Sequence, residues 1–397
     1  MTSKAEAASS SPWLAAHVAA IDAMPADARA IATIPPIDPA TLAAILPGID
    51  LWDLWPLQNA DGSTALIDGA SLWFVLSAPA LPDPEERHHI ARIRLMSHRD
   101  GAWHDCGNAL PDGLNPGSRE WAGSALFRPE TGKVTLFYTV AGWSGEAKPS
   151  FAQRLFATTG DLLIADGRPR IANWSTPAEL FEADQDHYTL VNQREGAPGF
   201  IKGFRDPAHM RDSDGTTWML FTGSLAQSTH AFNGCIGIAR AQDESLTRWT
   251  LMPPLVSADG LNNELERPVM ILRDGRYYLF WSTQRKVFSP AGPSGPNGLY
   301  GMVADSILGP FEPLNGTGLV AGNPPETPYQ AYSWWVDAQL CVHGFADLPG
   351  VPVDGQVNEA SWRRAHFTGT PAPLFRIALD GARAWVESGI EPAAAHG

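Results

Sequence analysis

The chain has 397 residues, of which 44% are hydrophobic and 18% charged: enough apolar material for a sizeable core, and too little charge for disorder in bulk. With 28 Lys and Arg against 43 Asp and Glu, the net charge is −15, which disfavours nucleic acid and anionic membranes as partners and leaves neutral ligands unaffected. Cys106, Cys235 and Cys341 are far apart and form no C-x-x-C pair, so neither a zinc site nor a disulfide framework is indicated.

Residues 1–45 read as an N-terminal helical segment packed on the rest of the chain. The apolar run from Trp13 to Ile21 is interrupted by His17, is followed by Asp22, and has no basic stretch ahead of it. It reads as a short amphipathic helix, with breaks at Pro25, Pro35 and Pro36, and not as a signal peptide or membrane span. Next comes Ile49-Asp-Leu-Trp-Asp-Leu-Trp-Pro-Leu-Gln58, where Asp53 stands between Trp52 and Trp55. A carboxylate between stiff aromatic walls fits a nucleophile; taken alone, it fits a buried Asp accepting backbone N–H bonds more readily.

Beyond residue 45 a unit repeats. Segments starting at Asp68, Thr131, Asp214 and Asp274 each pass from a turn carrying Gly into a short strand such as Ser71-Leu-Trp-Phe-Val-Leu76 or Tyr277-Tyr-Leu-Phe-Trp281. A fifth, Val336 to Phe345, lacks the Gly turn. Each is followed by another strand-like run, and Trp103, Trp249, Phe311 and Trp385 mark outermost strands in four units. The spacing exceeds the roughly 40–50 residues of common propeller repeats and leaves room for loops. We therefore expect an all-β fold, a five-bladed β-propeller filling residues 46–397 as one catalytic domain, with a large β-sandwich as the alternative.

Just upstream of each repeated strand, where an innermost strand belongs, stand Trp52-Asp53-Leu-Trp-Pro56, Trp121-Ala-Gly-Ser-Ala125, Phe204-Arg-Asp-Pro207, Leu265-Glu-Arg-Pro268 and Ala331-Tyr-Ser-Trp-Trp335. Inner strands converge, so polar groups at their mouths meet although they are distant in sequence. Three of the five carry a carboxylate: Asp53, Asp206 and Glu266. Glycosidic cleavage with retention needs a nucleophile and an acid about 5 Å apart, and a third carboxylate can grip sugar hydroxyls as charge develops. Asp206 beside Arg205 and Glu266 beside Arg267 also fit plain ion pairs, although side chains alternate along a strand. Glu264 lies on the same side as Glu266, and two close carboxylates resist joint ionisation.

These residues carry a resemblance. Trp-Asp-x-Trp-Pro-Leu-Gln at 52–58, Glu-Trp-x-Gly-Ser at 120–124, Phe-Arg-Asp-Pro at 204–207, Glu-x-Glu-Arg-Pro at 264–268 and Ala-Tyr-Ser at 331–333 resemble, in order, the levansucrase and inulosucrase family of sucrose fructosyltransferases. The resemblance implies a five-bladed propeller and a double displacement on sucrose. Asp53 would be nucleophile, Glu266 acid and base, and Asp206 the transition-state stabiliser. Trp52, Trp121, Arg205, Glu264, Gln284 and Tyr332 would line the sugar pocket, with Arg205 requiring an irregular strand mouth if both it and Asp206 are to reach the sugar.

The chain also departs from the family pattern. The family usually has Ser at Ala122, touching the nucleophile, and His or Arg at Gln284, where acceptors are handled; Trp334-Trp335 is also unusual. These departures favour hydrolysis and transfer to short acceptors over polymer synthesis. Some members hold a structural calcium, but Asn263 stands where an acidic ligand belongs, so neither a metal nor a cofactor is expected. The expected partners are sucrose and sugar acceptors, and the expected state is a secreted monomer without an evident cleaved signal. A mainly hydrolytic β-fructofuranosidase and a non-catalytic sugar-binding propeller are the alternatives.

Overall fold

The computed structural model describes residues 10–165 and 167–387. It is mostly β, with short α-helices at Ala15–Asp22, Ala26–Ile31 and Ala360–His366. The ten-stranded sheet holds two antiparallel meanders. The first runs through Ile49–Gln58, Ala70–Pro79, Arg92–Arg99 and Ala102–Asn108; the second through Arg119–Arg128, Lys133–Ala141, Gln153–Ala165 and Arg168–Ala172. Among the described residues their strand ladders meet at the parallel pairs Leu57–Ala125 and Gln58–Leu126, and the buried Glu120 adds a bond from the Ile93 N–H across the same seam.

Three further sheets open with Phe204–Arg211, Glu266–Arg273 and Ala331–Val336. Each of the five opening strands carries one of the five mouth motifs. In chain order each touches the next, and the fifth touches the first, so their mouths surround one axis.

Turn chemistry explains the hairpins. Asp68 and Gly69 have φ of 50° and 80°, and Asp274 and Gly275 have 52° and 76°: two successive left-handed residues, the turn whose twist matches paired strands. The unit without a Gly at its turn solves the problem differently. Its Val336–Phe345 stretch is not one strand; it straddles the turn between Ala331–Val336 and Cys341–Ala346. There the Asp337 carboxylate accepts the Gln339 and Cys341 N–H groups, while Leu340 takes φ of 63°.

The second strands read as continuous apolar runs because both their faces are covered. Leu72, Phe74 and Leu76 fill one core, whereas Trp73 and Val75 between them fill another; Leu220 and its neighbours Met219 and Phe221 divide in the same way.

The N-terminal segment is helical in part, but its anchor lies outside the helices. Ser11–Pro12 adds a parallel strand beside Val256 and Ser257. Trp13, 1% exposed, meets Trp281 at 5.4 Å and Tyr300 at 5.1 Å, and its indole N–H donates to the Thr317 carbonyl at 3.0 Å. Ile34 N–H then donates to the Gly322 carbonyl. Trp13→Ala is expected to cost about 3–5 kcal/mol, read as a lower urea midpoint with unchanged slope. A midpoint equal to the parent's would show that this anchor carries no stability.

Candidate active site

Every opening strand breaks register at its mouth. The pairing slips between Leu51 and Leu54, Trp121 and Gly123, Arg205 and Ala208, Glu266 and Val269, and Tyr332 and Trp335. A bulge puts two residues opposite one and re-aims the side chains beside it. Asp206, Arg267 and Ser333 hold φ of 59°, 51° and 61° within these bulges, a costly state for residues with a Cβ and one that gathers at functional sites. This is the irregularity that lets Arg205 and Asp206 act together. At the second mouth Gly123 is required by proximity, since a Cβ there would lie 2.0 Å from the Phe137 carbonyl oxygen.

The five mouths enclose one cavity of about 500 Å³. Asp53, Asp206 and Glu266 line it together with Trp52, Trp121, Arg205, Glu264, Gln284 and Tyr332, so all nine residues singled out in the sequence are brought to one place. Arg205 is the hub. One guanidinium nitrogen, Nη2, donates to Glu264 at 2.9 Å and Glu266 at 2.8 Å, and Nε lies 3.5 Å from Asp206. The other oxygen of Glu266 accepts from the Tyr332 hydroxyl. Asp206 accepts from the Thr222 hydroxyl at 2.9 Å and, at 3.3 Å, from the Arg267 backbone N–H. Arg267 is thus not the partner of its neighbour Glu266: its guanidinium donates to the Ser333 carbonyl and hydroxyl and to the Leu54 carbonyl, under the bulges of the fifth and first strands.

Burial and crowding set the protonation states. Desolvation pushes Asp206 up to about 6, against the pull of Arg205 and with Glu266 and Asp53 adding to the rise. Glu264 is pushed to about 7 by burial, Arg205 pulling it down and Glu266 pushing it up. Asp53 is raised by burial, opposed by Arg267, by a hydrogen bond from Ser333, and by Arg87. Ser333 on the fifth strand thus favours the ionised form of Asp53, whereas Ala122 on the second offers only a methyl group to the cavity.

Other placements differ from the sequence reading. Trp334 and Trp335 are each 1% exposed and do not line the cavity. Trp334 packs edge-on against Tyr332 at 5.6 Å, and Trp335 lies 5.8 Å from the Arg267 guanidinium, so the pair supports two site residues from behind. The segment Asp83–His89 also forms a wall that sequence inspection did not single out. The buried Arg87 guanidinium lies 5.3 Å from the Trp52 ring, and the His88 carbonyl accepts from the Trp121 indole at 3.1 Å. Asp347 and Lys286 complete that side. A run of five charged or imidazole residues, Glu85-Glu-Arg-His-His89, looks like a solvated loop in sequence, and nothing in its spacing marks it otherwise.

A cavity with three acids from three strands, a shared arginine and tryptophans at its wall defines an enzyme that works on sugars through carboxylates. The sequence profile of the levansucrase/invertase family, glycoside hydrolase family 68, matches residues 1–233 and 227–391. The chain belongs to that family. It is 31% identical over 407 residues to levansucrase Lscbeta of Pseudomonas syringae pv. actinidiae, covering 92% of this chain and 89% of that protein. A levansucrase of Zymomonas mobilis subsp. mobilis is 33% identical over 365 residues, covering 85% and 82%. Among solved structures, the inulosucrase from Halalkalicoccus jeotgali bound to kestose is similar with a TM-score of 0.85 and 38% identity, covering 95% of each chain. The levansucrase from Gluconacetobacter diazotrophicus gives 0.83 at 25% identity, covering 98% and 92%.

Proposed function

We propose that the protein transfers the fructosyl unit of sucrose, through a covalent intermediate on Asp53, to water and to short sugar acceptors. The protein is a sucrose fructosyltransferase; the residue roles are our reading of the site. Asp53 attacks the fructosyl anomeric carbon as the bond to the glucosyl oxygen breaks, and Glu266 delivers its proton to that oxygen, releasing glucose. Glu266, now ionised, takes a proton from water or an acceptor hydroxyl, whose oxygen displaces Asp53 from the sugar.

Arg205 and Tyr332 each hold one oxygen of Glu266. The Tyr332 hydroxyl can accept when that carboxyl is protonated and donate once it is ionised, which suits a group that must do both. Asp206 binds fructosyl hydroxyls, and Trp52, Trp121, Glu264 and Gln284 complete the pocket. The observation that carries this reading is the convergence of the three acids in one cavity.

The five meanders form, in the same reading, a five-bladed propeller. The division into 1–45 and 46–397 is our reading of the domains, and the described part of the first, residues 10–45, serves as a strap on the catalytic body. The protein acts as a monomer, because all five mouths come from one chain, and outside the cell, because the reaction draws only on sugars. No described helix is long and apolar enough to cross a membrane.

The test is incubation with sucrose while free glucose and free fructose are both measured. Glucose in excess of fructose is expected, with the excess growing as acceptor is added. Equal amounts throughout would make the enzyme a hydrolase, and no glucose would sink the reading.

A further inference from the structure

The calcium that the resemblance implies for some relatives does not fit this chain. Calcium takes six to eight oxygen ligands with carboxylates among them. Asn263 is fully buried, and both ends of its amide are committed: Oδ1 accepts from Gly199 N–H at 3.1 Å, and Nδ2 donates to the Ile201 carbonyl at 3.2 Å. No group of three or more His, Cys, Asp or Glu able to hold a metal occurs among the described residues.

A cation nevertheless stands in this region, and it is covalently attached. The Lys202 ammonium donates to the Gly199 carbonyl at 3.2 Å, the Ala231 carbonyl at 2.5 Å and Asn233 Oδ1 at 2.8 Å. An ammonium has three protons, and here it has three oxygen acceptors drawn from two loops. Burial lowers its pKa, partly offset by the charge of Glu264.

What the contact holds matters for the site. Ile201 lines the cavity. Gly203 N–H donates to the Ser224 hydroxyl and Phe204 N–H to Gln153 Oε1, and the next two residues are Arg205 and Asp206. Asn263 ties the same loop to the stretch that delivers Glu264 and Glu266.

We propose that Lys202 is this protein's structural cation, a positioning residue that takes the part of a metal ion and sets where Arg205 and Asp206 enter the cavity. The claim deepens the proposed function and rests on it. Removal of the charge loosens the loop, Arg205 shifts against Glu264 and Glu266, and catalysis suffers before folding does, because small misplacements of aligned groups are costly in rate.

The experiment compares the full-length parent with Lys202→Met, using Tm and the separate kcat and KM for sucrose, with and without EDTA and added calcium. The parent is expected to ignore both additions. Lys202→Met should lower kcat at least roughly tenfold at temperatures well below its own Tm, a loss that a purely stabilising lysine would not produce. An unchanged kcat at such temperatures overturns the proposal even if Tm falls. A parent that loses Tm or activity in EDTA and regains it with calcium overturns it too. Should Lys202→Met fail to fold, Asn233→Asp keeps an oxygen for the ammonium while losing the Nδ2 bond to the Leu225 carbonyl, and Asn233→Ala loses both: a fall in kcat for Asn233→Ala that Asn233→Asp does not share supports the claim, and equal falls or none contradict it. A parent with no sucrose turnover would sink the proposed function instead, leaving the response of Tm to EDTA and calcium as the separate test of the cation.

Discussion

Asp53→Asn is expected to lower sucrose turnover by on the order of 10⁴-fold or more, with the protein still folded. The amide keeps the shape of the carboxyl and loses the negative charge that makes its oxygen nucleophilic toward the anomeric carbon. Stability should change little, because burial already raises the Asp53 pKa, so the site pays to hold that charge, and Arg267 keeps its bonds to Ser333 and Leu54. Glu266→Gln should behave differently. Its loss in kcat/KM, which reports the first displacement, is that of general acid help, about 10²–10⁴-fold on sucrose, and it should shrink sharply on a fructosyl donor whose leaving group needs no proton, such as fructosyl fluoride, while kcat stays low because the second displacement still lacks its base. Steady-state kinetics on both donors distinguish the two roles. If both variants recovered alike on the activated donor, the assignment of nucleophile and acid would be wrong.

Arg205→Met carries the second large effect. The change leaves Glu264 and Glu266 buried together without the cation they share, and removing one partner of such a cluster costs about 3–5 kcal/mol. The loss should depend on pH. Glu264 and Asp206 sit at about 7 and 6 in the folded protein, above their ordinary 4.5 and 3.8, and removing Arg205 raises both further. Groups so raised hold extra protons when folded, so their favourable contribution is complete below the ordinary values and fades as pH rises through the folded ones. The deficit of Arg205→Met in urea unfolding is therefore expected to be small near pH 4.5 and largest above pH 7. An equal deficit at both ends would show that the arginine acts by packing and not by charge.

How much of the fold and site was legible in the sequence depends on which forces are local. Asp-Gly turns announce hairpins because only certain residues adopt left-handed φ cheaply, and Asp68-Gly69, Asp100-Gly101 and Asp274-Gly275 adopt it at both residues. The motifs placed Asp53, Asp206 and Glu266 at strand mouths, and the cavity gathers them with the six other residues expected beside them. The bulges were legible only at Arg205, where two adjacent side chains were both required. Alternation otherwise predicts a regular strand, and a register slip depends on what lies across the ladder. The Asp83–His89 wall and Lys202 were invisible for a related reason: a charged side chain reads as surface until a distant segment supplies its acceptors. Asn263 was singled out as a neutral residue in an acidic place, but the Lys202 ammonium nearby, with its three oxygen acceptors, could not be inferred from it. The fifth repeat lacked a visible turn signal in the sequence because Asp337 replaces glycine by capping the turn with its side chain, a substitution visible only in three dimensions.

The central claim is that Asp53, and no other acid of the cavity, bonds to the sugar. The most direct measurement is peptide mass spectrometry of Glu266→Gln, quenched in acid during turnover of an activated fructosyl donor. One added fructosyl unit is expected on the peptide that contains Asp53. An adduct on the Asp206 peptide, or none while the donor is being consumed, would contradict the account.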